Sequence, residues 1–237
     1  MQMLILAGGF GTRLLDVVYE TPKAMAPING IPLLKFQLEH WIKQGQRDFI
    51  FLLYHQADAI IDFLQEQSRQ IDDKINILWV VESSPLGTGG AVANAISELK
   101  LKGFVLISNA DTWLSGGVKK ISETEGSALG VVKVDNVSRF GSVSLDRNDY
   151  ITKFVEKKVG DKQELSGLIS AGFYKLPTEI FTGRNNLKFS MERDILPDLV
   201  NKKLLKSVML DGDFFDIGTP DDYYHFCDWF RGKYEIG

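Results

Sequence analysis

Hydrophobic residues in the first half of the chain follow two different spacings. Short apolar runs rich in β-branched and aromatic residues are typical of buried strands, and they occupy residues 3–7, 49–54, 75–81 and 104–108. Longer stretches between them place apolar residues three and four apart, which predicts helices over residues 32–44, 57–70 and 88–99. Strands that alternate with helices form βαβ units. The pattern therefore predicts a mainly parallel sheet with helices on both faces.

The second half of the chain has a less regular pattern. Four further runs are expected to be strands, some of them in a small antiparallel ribbon beside the main sheet, and they occupy residues 128–134, 141–145, 151–155 and 168–176. Ser190 is a good N-cap for a helix that extends to about Val200, and residues 214–217 resemble a short strand. A last helix is expected to begin at Thr219 and Pro220. We therefore expect one α/β domain over residues 1–237.

Composition and charge narrow the function. The chain has 27 Lys and Arg against 31 Asp and Glu, a net charge of −4, which argues against a protein that binds nucleic acid. Its one cysteine, Cys227, excludes an intramolecular disulfide and a four-cysteine zinc site. The apolar runs are shorter than the roughly 20 residues of a membrane helix, and the start of the chain lacks the features of a signal peptide. These features favour a cytoplasmic protein with no membrane partner.

A glycine-rich segment directly follows the first predicted strand. It consists of Leu6, Ala7, Gly8, Gly9, Phe10, Gly11, Thr12, Arg13 and Leu14. The glycines allow the backbone to approach a ligand closely, and consecutive N–H groups can then bind phosphate oxygens or a base edge. Arg13 adds a guanidinium group suited to phosphate. The spacing matches neither the dinucleotide-binding fingerprint nor the P-loop.

This segment, together with residues 21–27, closely resembles the signature of the sugar-1-phosphate nucleotidyltransferases. The resemblance continues through residues 82–92, 109–111, 156–157, 170–174 and 214–222, so it covers nearly the whole chain. It implies a Rossmann-like three-layer α/β/α nucleotidyltransferase fold with a mixed, mainly parallel sheet. It also implies a nucleotide-binding half over about residues 1–112 and a sugar-phosphate-binding half over about residues 113–237.

The reaction that the resemblance implies is a displacement at the α-phosphorus of a nucleoside triphosphate. An oxygen of the sugar 1-phosphate attacks, and pyrophosphate leaves. Both reactants are anionic, so the protein must neutralise them, align them and stabilise the charge of the transition state. Such a site needs arginine, lysine and a carboxylate-bound metal ion rather than a Ser-His-Asp triad.

The residues that match the family's motifs supply these groups. Arg13 and Lys23 are implied to hold the triphosphate, and Asp111 stands where the family has a magnesium ligand. Asp216 would be the second carboxylate, because Mg²⁺ prefers one or two carboxylates with waters and phosphates. The expected nucleotide-binding set is Leu6, Ala7, Gly8, Gly9, Gly11, Thr12, Arg13, Lys23, Glu82, Gly87, Thr88 and Asn109.

The sugar phosphate is expected to bind to residues of the second half. Glu156 and Lys157 resemble the family's Glu-Lys-Pro element, although Lys158 replaces the proline. By this resemblance, Glu156 contacts the sugar, and Lys157 contacts its phosphate and joins the catalytic residues. Ser170 and Gly172 lie in a segment similar to the family's Asn-Ala-Gly strand, with Ser170 where asparagine is common.

Glu82 bears on the choice of nucleotide. Guanine presents two donors on one edge, and a carboxylate accepts from both, whereas uracil presents one donor between two carbonyls. Glu82 therefore favours GTP. Within the family, residues 27–30 and 85–90 and the short chain are most similar to the guanylyltransferases that act on D-glycero-α-D-manno-heptose 1-phosphate.

Three alternatives stay open. The sugar could be mannose 1-phosphate, or the nucleotide UTP or CTP. A non-catalytic nucleotide-sugar-binding regulatory protein is the remote third, since such a relative would be expected to lose the charged residues. The aromatic last helix is expected to pack on the domain, with a homodimer contact as the other interpretation.

Overall fold

The computed structural model describes residues 1–14, 17–18, 21–156 and 166–233, without the side chain of Arg13. The strands are β1 (Met3–Leu6), β2 (Pro27–Ile28), β3 (Ile31–Pro32), β4 (Asp48–Leu53), β5 (Asn76–Val81), β6 (Phe104–Asn109), β7 (Thr112–Leu114), β8 (Ser127–Val134), β9 (Ser142–Leu145), β10 (Ile151–Val155), β11 (Gly167–Pro177), β12 (Leu205–Met209) and β13 (Phe214–Asp216). The helices are α1 (Leu33–Lys43), α2 (Ala57–Gln70), α3 (Gly87–Glu98), α4 (Val118–Glu123), α5 (Met191–Asp194), α6 (Leu196–Asn201) and α7 (Pro220–Lys233).

One large mixed sheet organises the described residues. Its strand order is β10-β9-β11-β6-β1-β4-β5, with β8 also paired to β11 and β12 paired to β8. The strands β6, β1, β4 and β5 run parallel, which confirms the βαβ units predicted for the first half. The strand β11 pairs antiparallel with β6, β8 and β9, so the second half extends the same sheet with antiparallel strands. The short strands β7 and β13 form a separate antiparallel ribbon.

The core has a layer on each face of the sheet. Along β1, Met3 and Ile5 belong to the cluster under α1 and α2, whereas Leu4 belongs to the cluster under α3, α5 and α6. Alternate strand residues point to opposite faces, so this four-residue strand contributes to both layers. The three-layer α/β/α architecture predicted from the sequence is confirmed.

A third apolar cluster joins α7 to the β7–β13 ribbon. It contains Trp113 of the ribbon, Leu33 of α1, and Tyr223, Phe226 and Phe230 of α7. The aromatic character of α7 is therefore explained by packing on the domain, although Tyr224 is exposed. Among the described helices, none is both long enough and apolar enough to traverse a bilayer.

The structure differs from the sequence prediction after Ser190. The predicted single helix is divided into α5 and α6, with Ile195 between them. Pro197 causes the division, because it has no N–H to donate and its ring would clash with the carbonyl four residues earlier. Five short elements, β2, β3, β7, α4 and β12, were not predicted. Runs this short carry too few residues for a periodic signal.

Candidate active site

The carboxyl ends of β1 and β6 bring two predicted regions together. Leu6 is the register partner of Asn109, and the Ala110 N–H donates to the Leu6 carbonyl at 3.1 Å. The glycine-rich segment at the end of β1 therefore lies beside Asn109, the last residue of β6, and beside Asp111, two residues further along the chain. This edge of a parallel sheet is where open α/β folds bind ligands.

Three adjoining cavities meet at this edge, and Asp111 lines all of them. The first measures about 360 Å³ and is bordered by Leu6, Ala7, Gly9, Gly11, Thr12 and Lys23. The second measures about 490 Å³ and is bordered by Gly8, Gly9, Glu82, Gly87, Thr88 and Asn109. The third measures about 180 Å³ and is bordered by Asn109, Glu156, Ser170, Gly172 and Asp216. Every predicted site residue whose side chain or glycine backbone is described thus lines at least one cavity.

Two predicted site residues cannot be placed completely. The backbone of Arg13 lies in a 3₁₀ turn over Thr12–Leu14, but its side chain is not described. Lys157 lies outside the described residues. Their predicted roles stay predictions.

The glycines of the first segment serve different purposes. A Cβ on Gly8 would lie 3.0 Å from the backbone nitrogen of Tyr54, so Gly8 permits close packing against the end of β4. Gly11 has a φ of +61°, which glycine adopts readily. A Cβ on Gly9 would meet nothing within 4 Å, and Gly9 borders both larger cavities. Gly9 therefore has open space beside its backbone at the first two cavities, each of which is also bordered by a neighbouring glycine, Gly11 or Gly8.

Lys23 and Asp111 form an ion pair between the glycine-rich side and the aspartate side of the site. The Lys23 Nζ donates to Asp111 Oδ2 at 2.5 Å, and the two side chains are 12% and 33% exposed. Lys23 begins a 3₁₀ turn over Lys23–Met25 and packs its Cβ near Gly11. A cation and a carboxylate are thus held where a triphosphate and a metal ion would meet.

The β7–β13 ribbon positions the two predicted metal ligands. Asp216 is the register partner of Thr112, and the Ile217 N–H donates to the Asp111 carbonyl at 2.8 Å. Both carboxylates border the third cavity. Carboxylate oxygens are ligands that hard divalent cations prefer, so the donor set fits such an ion. Within the described residues, no group of three or more His, Cys, Asp and Glu side chains could hold a metal, so phosphates and waters would supply the other ligands.

Glu82 is buried at the mouth of the second cavity. Its Oε2 accepts from the Leu86 N–H at 2.8 Å, so Glu82 also holds the segment that leads into α3. Burial raises the pKa of Glu82, and the Leu86 hydrogen bond opposes that shift only in part. A ligand that donates to this carboxylate would relieve part of the cost of burying its charge.

Gly87 and Thr88 shape the second cavity through contacts with α5 and with the residues just before it. A Cβ on Gly87 would lie 2.7 Å from the Phe189 carbonyl oxygen. The Thr88 hydroxyl donates to Glu192 Oε2 at 2.7 Å and accepts from the Met191 N–H at 2.9 Å. These residues therefore hold a wall of the cavity, which is a role that the motif alone did not indicate.

A β-bulge in β11 forms one wall of the third cavity. The pairing register with β8 shifts between Ser170 and Tyr174. Gly172 lies in that bulge with a φ of +66°, and a Cβ there would lie 2.5 Å from Asn109 Nδ2. The Gly172 N–H donates to Ser170 Oγ at 3.3 Å. Only glycine allows this close contact between the bulge and the end of β6.

Sequence reasoning missed three charged residues at the cavities. Lys188 borders the second cavity, and Arg139 and Glu192 border the third. Arg139 donates from both terminal nitrogens to the Asp222 carboxylate, with Nη1 and Oδ1 2.9 Å apart. That hydrogen bond raises the pKa of Arg139. Although burial opposes it, the hydrogen bonds from Arg139 and Thr219 lower the pKa of Asp222.

Comparison with known proteins shows similarity over nearly the whole chain. The sequence profile of the family described as nucleotidyl transferase matches residues 2–228. D-glycero-α-D-manno-heptose 1-phosphate guanylyltransferase of Campylobacter jejuni is 36% identical over 228 residues, which are 95% of this chain and 98% of that protein. Mannose-1-phosphate guanyltransferase 2 of Candida glabrata is 31% identical over 233 residues, which are 94% of this chain and 63% of that protein.

A solved structure agrees with these relatives. HddC from Yersinia pseudotuberculosis, crystallised in complex with GMP-PN, superposes with a TM-score of 0.79 at 34% sequence identity. The match covers 97% of this chain and 99% of that one. All the residues named at the three cavities lie inside the range matched by the family profile.

Proposed function

The chain belongs to the nucleotidyltransferase family, and from that premise we propose that it transfers a guanylyl group from GTP to D-glycero-α-D-manno-heptose 1-phosphate. The reaction releases pyrophosphate and forms GDP-heptose for surface polysaccharide synthesis. The observation that carries the proposal is the meeting of three cavities at Asp111. The point where the cavities meet is suited to the α-phosphorus of the nucleotide. The sugar 1-phosphate would attack that atom from one side, and pyrophosphate would leave from the other.

The first cavity is suited to the triphosphate. The backbone around Gly9 faces it, and Lys23 provides a cation at its border. We propose that Lys23, with Arg13, neutralises the triphosphate and the leaving pyrophosphate. Because phosphoryl transfer requires mainly alignment and charge neutralisation, these contacts account for most of what the protein must do on this side.

Asp111 and Asp216 would hold Mg²⁺ between the nucleotide and the sugar phosphate. When bound, the ion would neutralise charge on the phosphate oxygens of both reactants. The two aspartates bind and orient, and neither needs to transfer a proton. The ion pair with Lys23 keeps one oxygen of Asp111 directed toward the triphosphate side.

The second cavity is suited to guanine. Glu82 borders it, and the N1–H and amino groups of guanine could both donate to that carboxylate. The third cavity is suited to the sugar, with Glu156 and Ser170 as polar wall residues. We assign the sugar phosphate to Arg139 and Lys157, because the cavity otherwise presents carboxylates among its described charged residues.

Mannose 1-phosphate is the second candidate substrate, since the relative from Candida glabrata carries that activity in its name. The test measures pyrophosphate release with Mg²⁺ and GTP, using the heptose 1-phosphate in one reaction and mannose 1-phosphate in another. Release with the heptose alone supports the proposal, and release with mannose alone supports the second candidate. If neither sugar gives release, UTP and CTP replace GTP, and continued inactivity favours a non-catalytic binding protein.

Two further expectations accompany this function. We expect the reaction to take place in the cytoplasm. A homodimer stays a prediction that is based on the aromatic residues of α7. Sedimentation of the wild-type protein beside a Tyr224→Ser variant tests the homodimer, because Tyr224 is the aromatic residue of α7 that is exposed. A monomeric wild-type protein would contradict it.

A further inference from the structure

Two side chains of α1 hold the outer edge of β7. The Gln37 Nε2 donates to the Thr112 carbonyl at 2.9 Å, and the His40 Nε2 donates to the Leu114 carbonyl at 2.9 Å. Gln37 and His40 are three residues apart, so they lie on the same face of α1. Thr112 and Leu114 are alternate residues of the strand, so their carbonyls point to the same edge. The other edge of β7 pairs with β13.

These contacts lie in a well-packed environment. Gln37 and Trp113 are each 2% exposed. The His40 ring stacks on Trp113 with 4.7 Å between ring centroids and 26° between planes. Hydrogen bonds in such surroundings are electrostatically stronger than in water, and an unpaired carbonyl there is costly. The position of β7 is therefore tied to α1.

The ribbon needs this external support. Strands β7 and β13 have three residues each, and an isolated two-stranded ribbon is at best marginally stable. Asp111 directly precedes β7, and Asp216 is opposite Thr112. A displacement of the Thr112 carbonyl would therefore move both carboxylates.

The same helix is also tied to the Lys23 side of the site. Its first residue, Leu33, donates its N–H to the Ala26 carbonyl at 2.9 Å, next to the 3₁₀ turn that carries Lys23. One rigid element thus contacts both the Lys23 turn and the ribbon with the aspartates.

We propose that Gln37 and His40 are positioning residues that fix the β7–β13 ribbon and so set the geometry of the Asp111 and Asp216 cation site. The identity of that cation site rests on the proposed function. Neither residue borders any of the three cavities of the candidate site. Each acts through a backbone carbonyl of β7.

The test measures Mn²⁺ binding by electron paramagnetic resonance in the presence of a non-hydrolysable GTP analogue. The variants are Gln37→Met and His40→Leu. Each replaces a hydrogen-bond donor with an apolar side chain of similar size. His40→Gln is the conservative variant, because a Gln Nε2 can take the place of the His Nε2. Activity with Mg²⁺ and the unfolding temperature are recorded for the same proteins.

Gln46 offers a matched control. It is also buried, and its Nε2 donates to two backbone carbonyls, those of Met1 at 3.0 Å and Asp48 at 2.7 Å, away from the ribbon. Gln46→Met should lower the unfolding temperature at least as much as Gln37→Met. It should leave Mn²⁺ affinity and kcat unchanged.

We expect Gln37→Met and His40→Leu each to weaken Mn²⁺ binding about tenfold. Tenfold is the lower end of the loss in metal affinity that follows when residues supporting the metal ligands are changed. The kcat should fall more than the KM for GTP rises, and His40→Gln should restore both Mn²⁺ binding and kcat. Wild-type Mn²⁺ affinity in both variants would overturn the proposal, as would an equal loss in Gln46→Met or a wild-type protein that binds no Mn²⁺. Failure of the proposed function has a different signature, namely Mn²⁺ binding without pyrophosphate release from any sugar phosphate.

Discussion

The side of the site proposed for the nucleotide and the side proposed for the sugar are built in different ways. On the nucleotide side, the glycine-rich segment comes at the end of β1, Asn109 ends the adjacent parallel strand β6, and bare backbone faces the cavity. On the sugar side, the walls come from a bulge in β11, from the Arg139 loop and from α5, and side-chain contacts join them. The first side depends mainly on strand order, and the second depends on individual side-chain pairs. Substitutions should therefore have different effects on the two sides.

The largest effect on kcat is expected at Asp111, where the three cavities meet. Asp111→Asn should lower kcat by about a thousandfold, because the charge that would hold the metal ion is removed from the point where all three cavities meet. The fold should persist, as circular dichroism would show. Asp211→Asn is the control, since Asp211 is an exposed residue paired with Lys120. Near-normal turnover in Asp111→Asn would remove this residue from the metal site.

Glu82→Gln should reduce the preference for GTP over UTP about 10- to 100-fold, the range expected when a hydrogen bond to a charged group, about 1.5–3 kcal/mol, is lost. Competition between the two nucleotides measures this ratio. A uniform loss with both nucleotides would contradict the assignment of Glu82 to guanine.

The same variant tests a pH effect on stability. Burial raises the folded-state pKa of Glu82 above its ordinary value of 4.5, so its favourable contribution is complete below pH 4.5 and is lost as pH rises through the folded pKa. Thermal unfolding from pH 4 to 8 should show wild-type stability falling relative to Glu82→Gln as pH rises. If the difference in stability between the wild type and Glu82→Gln stays the same at every pH, burial does not raise the pKa of Glu82.

Arg139→Lys should raise the KM for the sugar 1-phosphate about tenfold and leave the KM for GTP unchanged, because lysine cannot make the two-nitrogen contact with Asp222. Initial rates with each substrate varied in turn measure both constants. Arg147→Lys, at an exposed position, serves as the control. An equal rise in both KM values would show that the two sides are not independent.

The smallest effects should separate Gly8 from Gly9. Gly8→Ala places a Cβ 3.0 Å from Tyr54 N, so we expect a loss of about 1 kcal/mol in the free energy of unfolding. Gly9→Ala places its Cβ in open space, so stability should stay within about 0.5 kcal/mol while the KM for GTP rises severalfold. Denaturant titration and steady-state kinetics measure the two effects. If Gly9→Ala lowers the stability and Gly8→Ala raises the KM for GTP, then Gly8, rather than Gly9, faces the nucleotide.

The difference between the two sides also explains what the sequence could predict. Strand periodicity predicted β1 and β6, and parallel strands end at the same edge of a sheet, so Gly9 and Asp111 could be assigned to one edge. The pattern did not predict that β1 and β6 are neighbours in the sheet. Arg139 lies in the loop between β8 and β9, and Glu192 lies in the four-residue helix α5. The positions of these two residues depend on contacts with Asp222 and Thr88, more than eighty residues away in the chain. No local spacing encodes such contacts. The division of the chain near residue 112 into two functional halves stays a prediction.

The distance along the chain between strands β7 and β13, the ribbon that positions the two proposed metal ligands, has a consequence for biosynthesis. Strand β7 ends at Leu114, whereas β13 begins at Phe214 and is followed by α7. At roughly 5–20 residues per second, a ribosome needs on the order of ten seconds to synthesise the interval. During that time a nascent chain contains the glycine-rich segment and its parallel strands but not the second carboxylate. On the proposed assignment of Asp216 to the metal site, catalytic competence is therefore acquired late, when the last folded elements emerge. Prematurely terminated chains should then be inactive even where they retain nucleotide contacts.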